Sequence, residues 1–117
     1  MQSRGYKDLI VWQKAIKLAT LTYQLVKDFP KEELFGLTSQ IKRAVTSVPA
    51  NIAEGSGRKT EKDFKHFLAM AYGSSLELET HLLLGKQFGF GKSSHYVKAE
   101  EMPTEVQKML YKMKQDA

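Results

Sequence analysis

The 117-residue chain contains no cysteine, which excludes a disulfide framework, a thiolate zinc site and a cysteine nucleophile together. Proline is scarce, with three residues, and with the eight glycines it marks the boundaries, so long stretches run without a backbone breaker. No apolar run approaches the roughly 20 residues that a membrane span needs; Leu9 to Trp12 and Leu82 to Leu84 are far too short. Met1 to Tyr6 lacks the apolar centre of a signal peptide, so a cytoplasmic location is expected, with no membrane partner. No stretch alternates with the period of two that a half-buried strand requires, and there is no internal repeat or low-complexity tract.

What is present is an ordinary globular mixture, 42% hydrophobic and 26% charged, with 18 Lys and Arg against 13 Asp and Glu for a net charge of +5. A single domain of this size buries roughly two-thirds of its unfolded surface without staples. The positive balance points toward acidic partners without naming one.

Apolar residues recur at alternating spacings of three and four. From Asp8 to Phe29 there are two adjacent rows, Leu9-Trp12-Ile16-Ala19-Tyr23-Val26 and Val11-Ala15-Leu18-Thr22-Leu25-Phe29. Pro30 stops the helix because its predecessor is pushed out of the α region. A second segment carries Leu37, Ile41, Ala44, Val48 and Ile52 before Gly55-Ser56-Gly57 ends it. Pro49 lies inside that pattern, where losing one donor predicts a kink. Thr60 caps a third helix with Asp63 three residues on. Its core row is Phe64, Leu68, Ala71, Ser75, Leu78 and Leu82, and the small Gly73-Ser74-Ser75 would let another helix approach closely. A fourth segment starts at Ser93 or Ser94 and places His95, Ala99, Met102, Val106, Met109 and Met113 on one face, with Pro103 bending or splitting it.

The expected helices are therefore about 8–29, 36–54, 60–84 and 94–115 of a single domain, residues 1–117, an all-α up-and-down four-helix bundle. One stripe of about 100° suffices for a helix in a lone bundle. The two rows on the first helix leave only Ile10, Lys14, Lys17, Leu21 and Gln24 wetted, so burial on two sides, and hence self-association, is expected.

Several spaced motifs carry a family resemblance. Tyr6-Lys7-Asp8-Leu9-Ile10-Val11-Trp12-Gln13-Lys14-Ala15, Phe29-Pro30, Gly36-Leu37 with Gln40, and Arg43-Ala44 stand in order before Ser47-Val48-Pro49-Ala50-Asn51-Ile52-Ala53-Glu54-Gly55. Phe64, Phe67-Leu68, Ala71, Gly73-Ser74 and Glu77-Leu78-Glu79-Thr80 continue the series. Over about Tyr6 to Phe90 the chain resembles the ribosomal RNA intervening-sequence proteins, the S23-type four-helix-bundle family, whereas the segment after Gly91 matches only in being helical. The resemblance implies a ring-like homopentamer with a basic surface and no established enzymatic activity. Five copies of +5 would carry +25, a large field for a polyanion. The bundle is also similar to the accessory proteins of diversity-generating retroelements, which implies a reverse transcriptase as a further partner.

Gly55-Ser56-Gly57-Arg58-Lys59-Thr60 leads into the third helix, where free N–H groups and a partial positive charge suit a phosphate; the alternative is a plain connection with two solvated cations. Arg43, Asn51 and Glu54, near the carbonyl loosened by Pro49, form a structural polar clasp in expectation rather than a catalytic set. Glu77, Glu79 and His81 lack the paired Glu-x-x-His spacing of bundle di-iron sites, so no metal and no cofactor are expected. Gly85-Lys86-Gln87-Phe88-Gly89-Phe90-Gly91-Lys92-Ser93 misses the P-loop spacing by one residue and follows a helix, leaving a turn whose aromatic pair covers the bundle end or stacks bases. Met102, Met109 and Met113 are core, or else a docking groove. The chain thus reads as a non-enzymatic nucleic-acid binder, RNA in preference to DNA, acting through Lys14, Lys17, Lys42, Arg43, Arg58, Lys59, Lys62 and Lys65. The alternative is a protein-interaction scaffold such as a reverse-transcriptase accessory subunit.

Overall fold

The computed structural model describes residues 5–116, with the Asp116 side chain outside the description. Tyr6–Asp8 makes a single 3-10 turn, and Leu9 leaves it in extended backbone before α1, Ile10–Val26, begins. This turn moves the helix start past Asp8: the Asp8 N–H donates to Gly5 at 2.8 Å, and Gln13 donates back to the Lys7 carbonyl at 2.9 Å. At the other end Asp28 and Phe29 donate three residues back, to Leu25 and Val26. The last turn therefore tightens before Pro30, short of the expected residue 29. A second 3-10 turn, Lys31–Glu33, leads to α2, Leu37–Ser56, whose first N–H donates to Glu33 Oε1 at 3.1 Å.

α2 runs through Pro49 without ending and stops at Gly57. Thr60 then caps α3, Glu61–Gln87, its hydroxyl accepting from the Asp63 N–H at 3.1 Å. Gly85 lies inside α3 and is buried; a Cβ there would meet the Tyr96 hydroxyl at 2.8 Å and the Phe29 ring at 2.9 Å. The helix ends instead at Gly89, φ +78°. Phe90 N–H donates to Gly85 and Gly89 N–H to Lys86, the paired bonds of a Schellman cap. α4, Ser93–Asp116, passes through Pro103 as one helix and is not split.

Each helix packs on its chain neighbours, and α1 also packs on α4, while the diagonal pairs α1–α3 and α2–α4 do not meet. The four therefore enclose a square core in a body of 46 × 24 × 20 Å. α1 contributes Val11, Ala15, Leu18, Thr22 and Leu25, α2 contributes Ile41, Val45, Val48 and Ile52, and α3 contributes its whole expected row. On α4 the buried row is Tyr96, Ala99, Pro103, Val106 and Leu110. His95 and Met113 of the expected face stand beside that row; Met102, Met109 and Met113 are half-buried against the core. The two possible rows share Ala99 and Val106, and the one carrying Leu and Tyr is turned inward. Gly73 does not receive a neighbouring helix: it is exposed, with nothing within 4 Å of a Cβ placed there. The close approach lies at Gly55, where such a Cβ would stand 2.7 Å from Phe67 Cβ.

Candidate nucleic-acid interface

The antiparallel order places the end of α2, the start of α3 and the start of α1 at one end of the bundle, with the last turns of α4 running toward it. Arg58, Lys59, Lys62 and Lys65 gather there. Arg58 is held on two sides, by Glu54 at 3.1 Å and by the Phe67 ring 4.6 Å below its guanidinium. Lys59 and Lys62 are exposed, Lys65 is half-buried, and none of the three makes an ion pair among the described residues.

The start of α3 is less suited to a phosphate than the motif alone implies. Thr60 already occupies the Asp63 N–H, and Glu61 and Asp63 put two carboxylates into the first turn. Those charges stand where the helix dipole would attract an anion. The cations of this end act from the surface rather than through the helix terminus.

The remaining expected residues lie elsewhere. Lys14 and Lys17 border a groove of about 630 Å³ between α1 and α4, which Lys98, Glu101, Met102 and Glu105 also line. Lys14 is bonded to Glu105 at 2.6 Å, so its charge is compensated. Lys42 lies 5.0 Å over the Tyr23 ring on the α1–α2 edge, and Arg43 is exposed. The eight cations therefore form no single patch.

The polar clasp does not assemble. Asn51 donates to the Ser47 carbonyl at 2.8 Å and to its hydroxyl at 3.2 Å, Glu54 accepts from Arg58, and Arg43 stays in solvent. Eight residues of helix rise about 12 Å and turn about 80° past two full turns, which takes Arg43 out of reach of Asn51. Asn51 instead bonds back one turn within α2.

At the opposite end, Phe90 packs edge-on to Phe29 at 5.6 Å and its carbonyl accepts from the Tyr96 hydroxyl at 2.8 Å. Burial first, and the Glu100 charge second, push the Tyr96 hydroxyl from 10.0 up to about 12. Phe88 is exposed, but Lys86 is paired with Glu100 at 3.0 Å and Lys92 approaches Asp28 at 3.9 Å. An aromatic-cationic arrangement that spacing did not reveal occurs between α3 and α4. Tyr72 and Tyr111 lie 6.1 Å apart, with Lys114 4.5 Å over the first ring and 5.6 Å over the second. Lys108 lines the same groove. Only the packing of α4 on α3 brings these side chains together. Among the described residues no three His, Asp or Glu side chains converge as metal ligands, and no helix is long and apolar enough to cross a membrane.

A solved structure from Bacteroides thetaiotaomicron, a protein of unknown function from the S23 ribosomal protein family, superposes with a TM-score of 0.82 at 26% identity, covering 91% of this chain and 99% of that one. No curated protein matches. Residues 7–112 match the 23S rRNA-intervening sequence protein family, a span that takes in most of α4, beyond the limit of the sequence motifs at Phe90. The chain belongs to the 23S rRNA-intervening sequence protein family.

Proposed function

We propose that the protein binds nucleic acid, RNA in preference to DNA, through phosphate contacts at the basic end of the bundle, and that copies associate to multiply the charge. The observation that carries this is the gathering of Arg58, Lys59, Lys62 and Lys65 at one end, with Lys108, Lys112 and Lys114 descending α4 toward it. Glu54, Glu61 and Asp63 oppose them there, with Asp8 in the turn before α1. Lysines without carboxylate partners hold mobile counterions, and their release on meeting a phosphate chain drives binding with little base readout. Tyr111, half exposed beside Lys108 and Lys114, offers a ring face to an unpaired base. RNA enters through the family's association with ribosomal RNA genes; the charge itself selects only a polyanion.

The test is the salt dependence of binding. With about four to six phosphates neutralised on a single strand, the log–log slope of affinity against salt is about −3 to −4. The double variant Arg58→Glu/Lys59→Glu flattens that slope by about 0.7 for each phosphate it no longer neutralises; an unchanged slope removes this end of the bundle from the interface.

A protein-interaction scaffold, such as an accessory subunit of a reverse transcriptase, is the second reading. It is favoured by the apolar side chains left outside the core, among them Leu76, Leu83 and Phe35.

A further inference from the structure

Tyr111 is 50% exposed although it stands on α4 against Tyr72 of α3. The two rings lie 6.1 Å apart and are tilted by 52°, so neither covers the other's face. Tyr72 packs against the core, and Lys114 lies over both rings. A groove of about 420 Å³ opens beside the pair, lined also by Thr104, Gln107 and Lys108 but not by Lys114. The lysine above the rings therefore leaves their groove side open. A cavity of about 150 Å³ already holds a benzene ring, so one planar base has room.

The charge of the groove selects what enters. Elsewhere on the same α3–α4 seam, the groove at Leu83 and Pro103 is lined by Glu79 and Glu100, and its lysine, Lys86, is paired with Glu100 at 3.0 Å. The tyrosine groove carries Lys108 and no carboxylate. Neither Lys108 nor Lys114 makes an ion pair among the described residues. They stand three residues to either side of Tyr111, about 9 Å apart along the helix axis. A nucleotide whose base lies on Tyr111 has a phosphate before it and another after it, and one lysine is placed for each. The groove is also continuous with the basic end of the bundle. Lys65 precedes Tyr72 by seven residues, two turns along the same face of α3 and about 10 Å nearer that end. A stacked strand covers that distance in about three nucleotides, at ~3.4 Å per phosphate.

We propose that the Tyr72–Tyr111 groove is a stacking site for an unpaired base of a single-stranded nucleic acid, with Lys108 and Lys114 on the phosphates flanking that base. This rests on the nucleic-acid reading above and specifies the form of the ligand. In a duplex the faces of each base are covered by its neighbours, and a ring set in a groove between helices reaches one only after the base is extruded from the stack. A single strand presents the face directly. Stacking of one base on an aromatic ring is worth about 5- to 150-fold in affinity and tolerates any sequence, because every base has a π-face.

The experiment is fluorescence anisotropy at low and at raised salt with three labelled ligands of equal length: an RNA strand without self-pairing, the same strand with abasic riboses throughout, and an RNA duplex. The proteins are the wild type, Tyr111→Leu, Tyr111→Phe and Tyr23→Leu; Tyr23 is a comparably exposed tyrosine under Lys42 on the α1–α2 edge. Leucine is a good helix former and Tyr111 is half exposed, so the circular dichroism of Tyr111→Leu matches the wild type. The expected wild type binds the base-bearing strand about 5- to 150-fold more tightly than the abasic one. Tyr111→Leu loses that preference while its salt slope and its duplex binding stay unchanged, and Tyr111→Phe and Tyr23→Leu keep it. Equal wild-type binding of the base-bearing and abasic strands overturns the stacking site and leaves the phosphate contacts standing. So does a Tyr111→Leu protein that keeps the preference. No binding of any of the three ligands at low salt overturns the nucleic-acid reading, and the site with it.

Discussion

Replacing Gly55 by alanine tests the packing of α2 on α3 at its tightest point. The added methyl group would stand 2.7 Å from Phe67 Cβ and 3.2 Å from Phe64 Cδ1, whereas carbon atoms rest at about 3.5–4.0 Å. Phe67 Cβ is fixed to its own helix, so the backbones must separate locally by about 1 Å, not a side-chain tip. Overpacking of this kind costs about 1–3 kcal/mol, and the better helix propensity of alanine returns up to about 1 kcal/mol. The net loss is about 1–2 kcal/mol, a fall in Tm of about 4–8 °C at roughly 4 °C per kcal/mol for a chain of this size. Gly73→Ala is the matched control. It lies in the same bundle with nothing within 4 Å of the new atom, so propensity acts alone and raises Tm by about 2–4 °C. Thermal melts followed by circular dichroism, at one fixed protein concentration because association shifts Tm, separate the two. A Gly55→Ala protein that melts at or above the wild type would refute the close approach.

Three further outcomes follow from other parts of the bundle. The Tyr96 hydroxyl is raised from 10.0 to about 12 in the fold, so its neutral form contributes stability that is whole below pH 10 and lost as pH rises toward 12; urea melts of Tyr96→Phe show a weaker protein near pH 8, by about 1 kcal/mol, and lack that alkaline component. Thr22 is buried in the core of α1 with no hydrogen-bond partner for its hydroxyl, so Thr22→Val stabilises the fold by about 1–3 kcal/mol in the same assay; a loss of stability would show that the hydroxyl is bonded. Removing the α3 cap with Thr60→Ala lowers stability by about 1 kcal/mol, and no change in the urea midpoint would deny the bond to Asp63.

The helices and most of the core were legible because local periodicity decides them. Leu18, Ile41, Leu68 and Leu78 sit where spacing puts them, and the Thr60 cap needs only its own four residues. What stayed hidden depends on two segments meeting. Gly85 resembles a helix end in the chain, yet it is the space that Phe29 and Tyr96 fill. On α4 two rows share Ala99 and Val106, and only the neighbouring helices choose between Leu110 and Met109. Gly73 reads in sequence as a close approach and Gly55 as a helix end, but Gly73 faces solvent and Gly55 faces a Phe. The same limit governs the site: Arg58, Lys59, Lys62 and Lys65 are neighbours along the chain and remain so in space. The pairing of Lys14 with Glu105 and the placement of Lys114 over Tyr72 and Tyr111 arise only when α4 docks.

Nucleic-acid binding itself is tested most directly by fluorescence anisotropy of labelled single-stranded RNA and of a matched DNA duplex, each at two salt concentrations. Binding that is tighter on the RNA and falls steeply as salt rises is the predicted result. No binding of either ligand at low salt would contradict it.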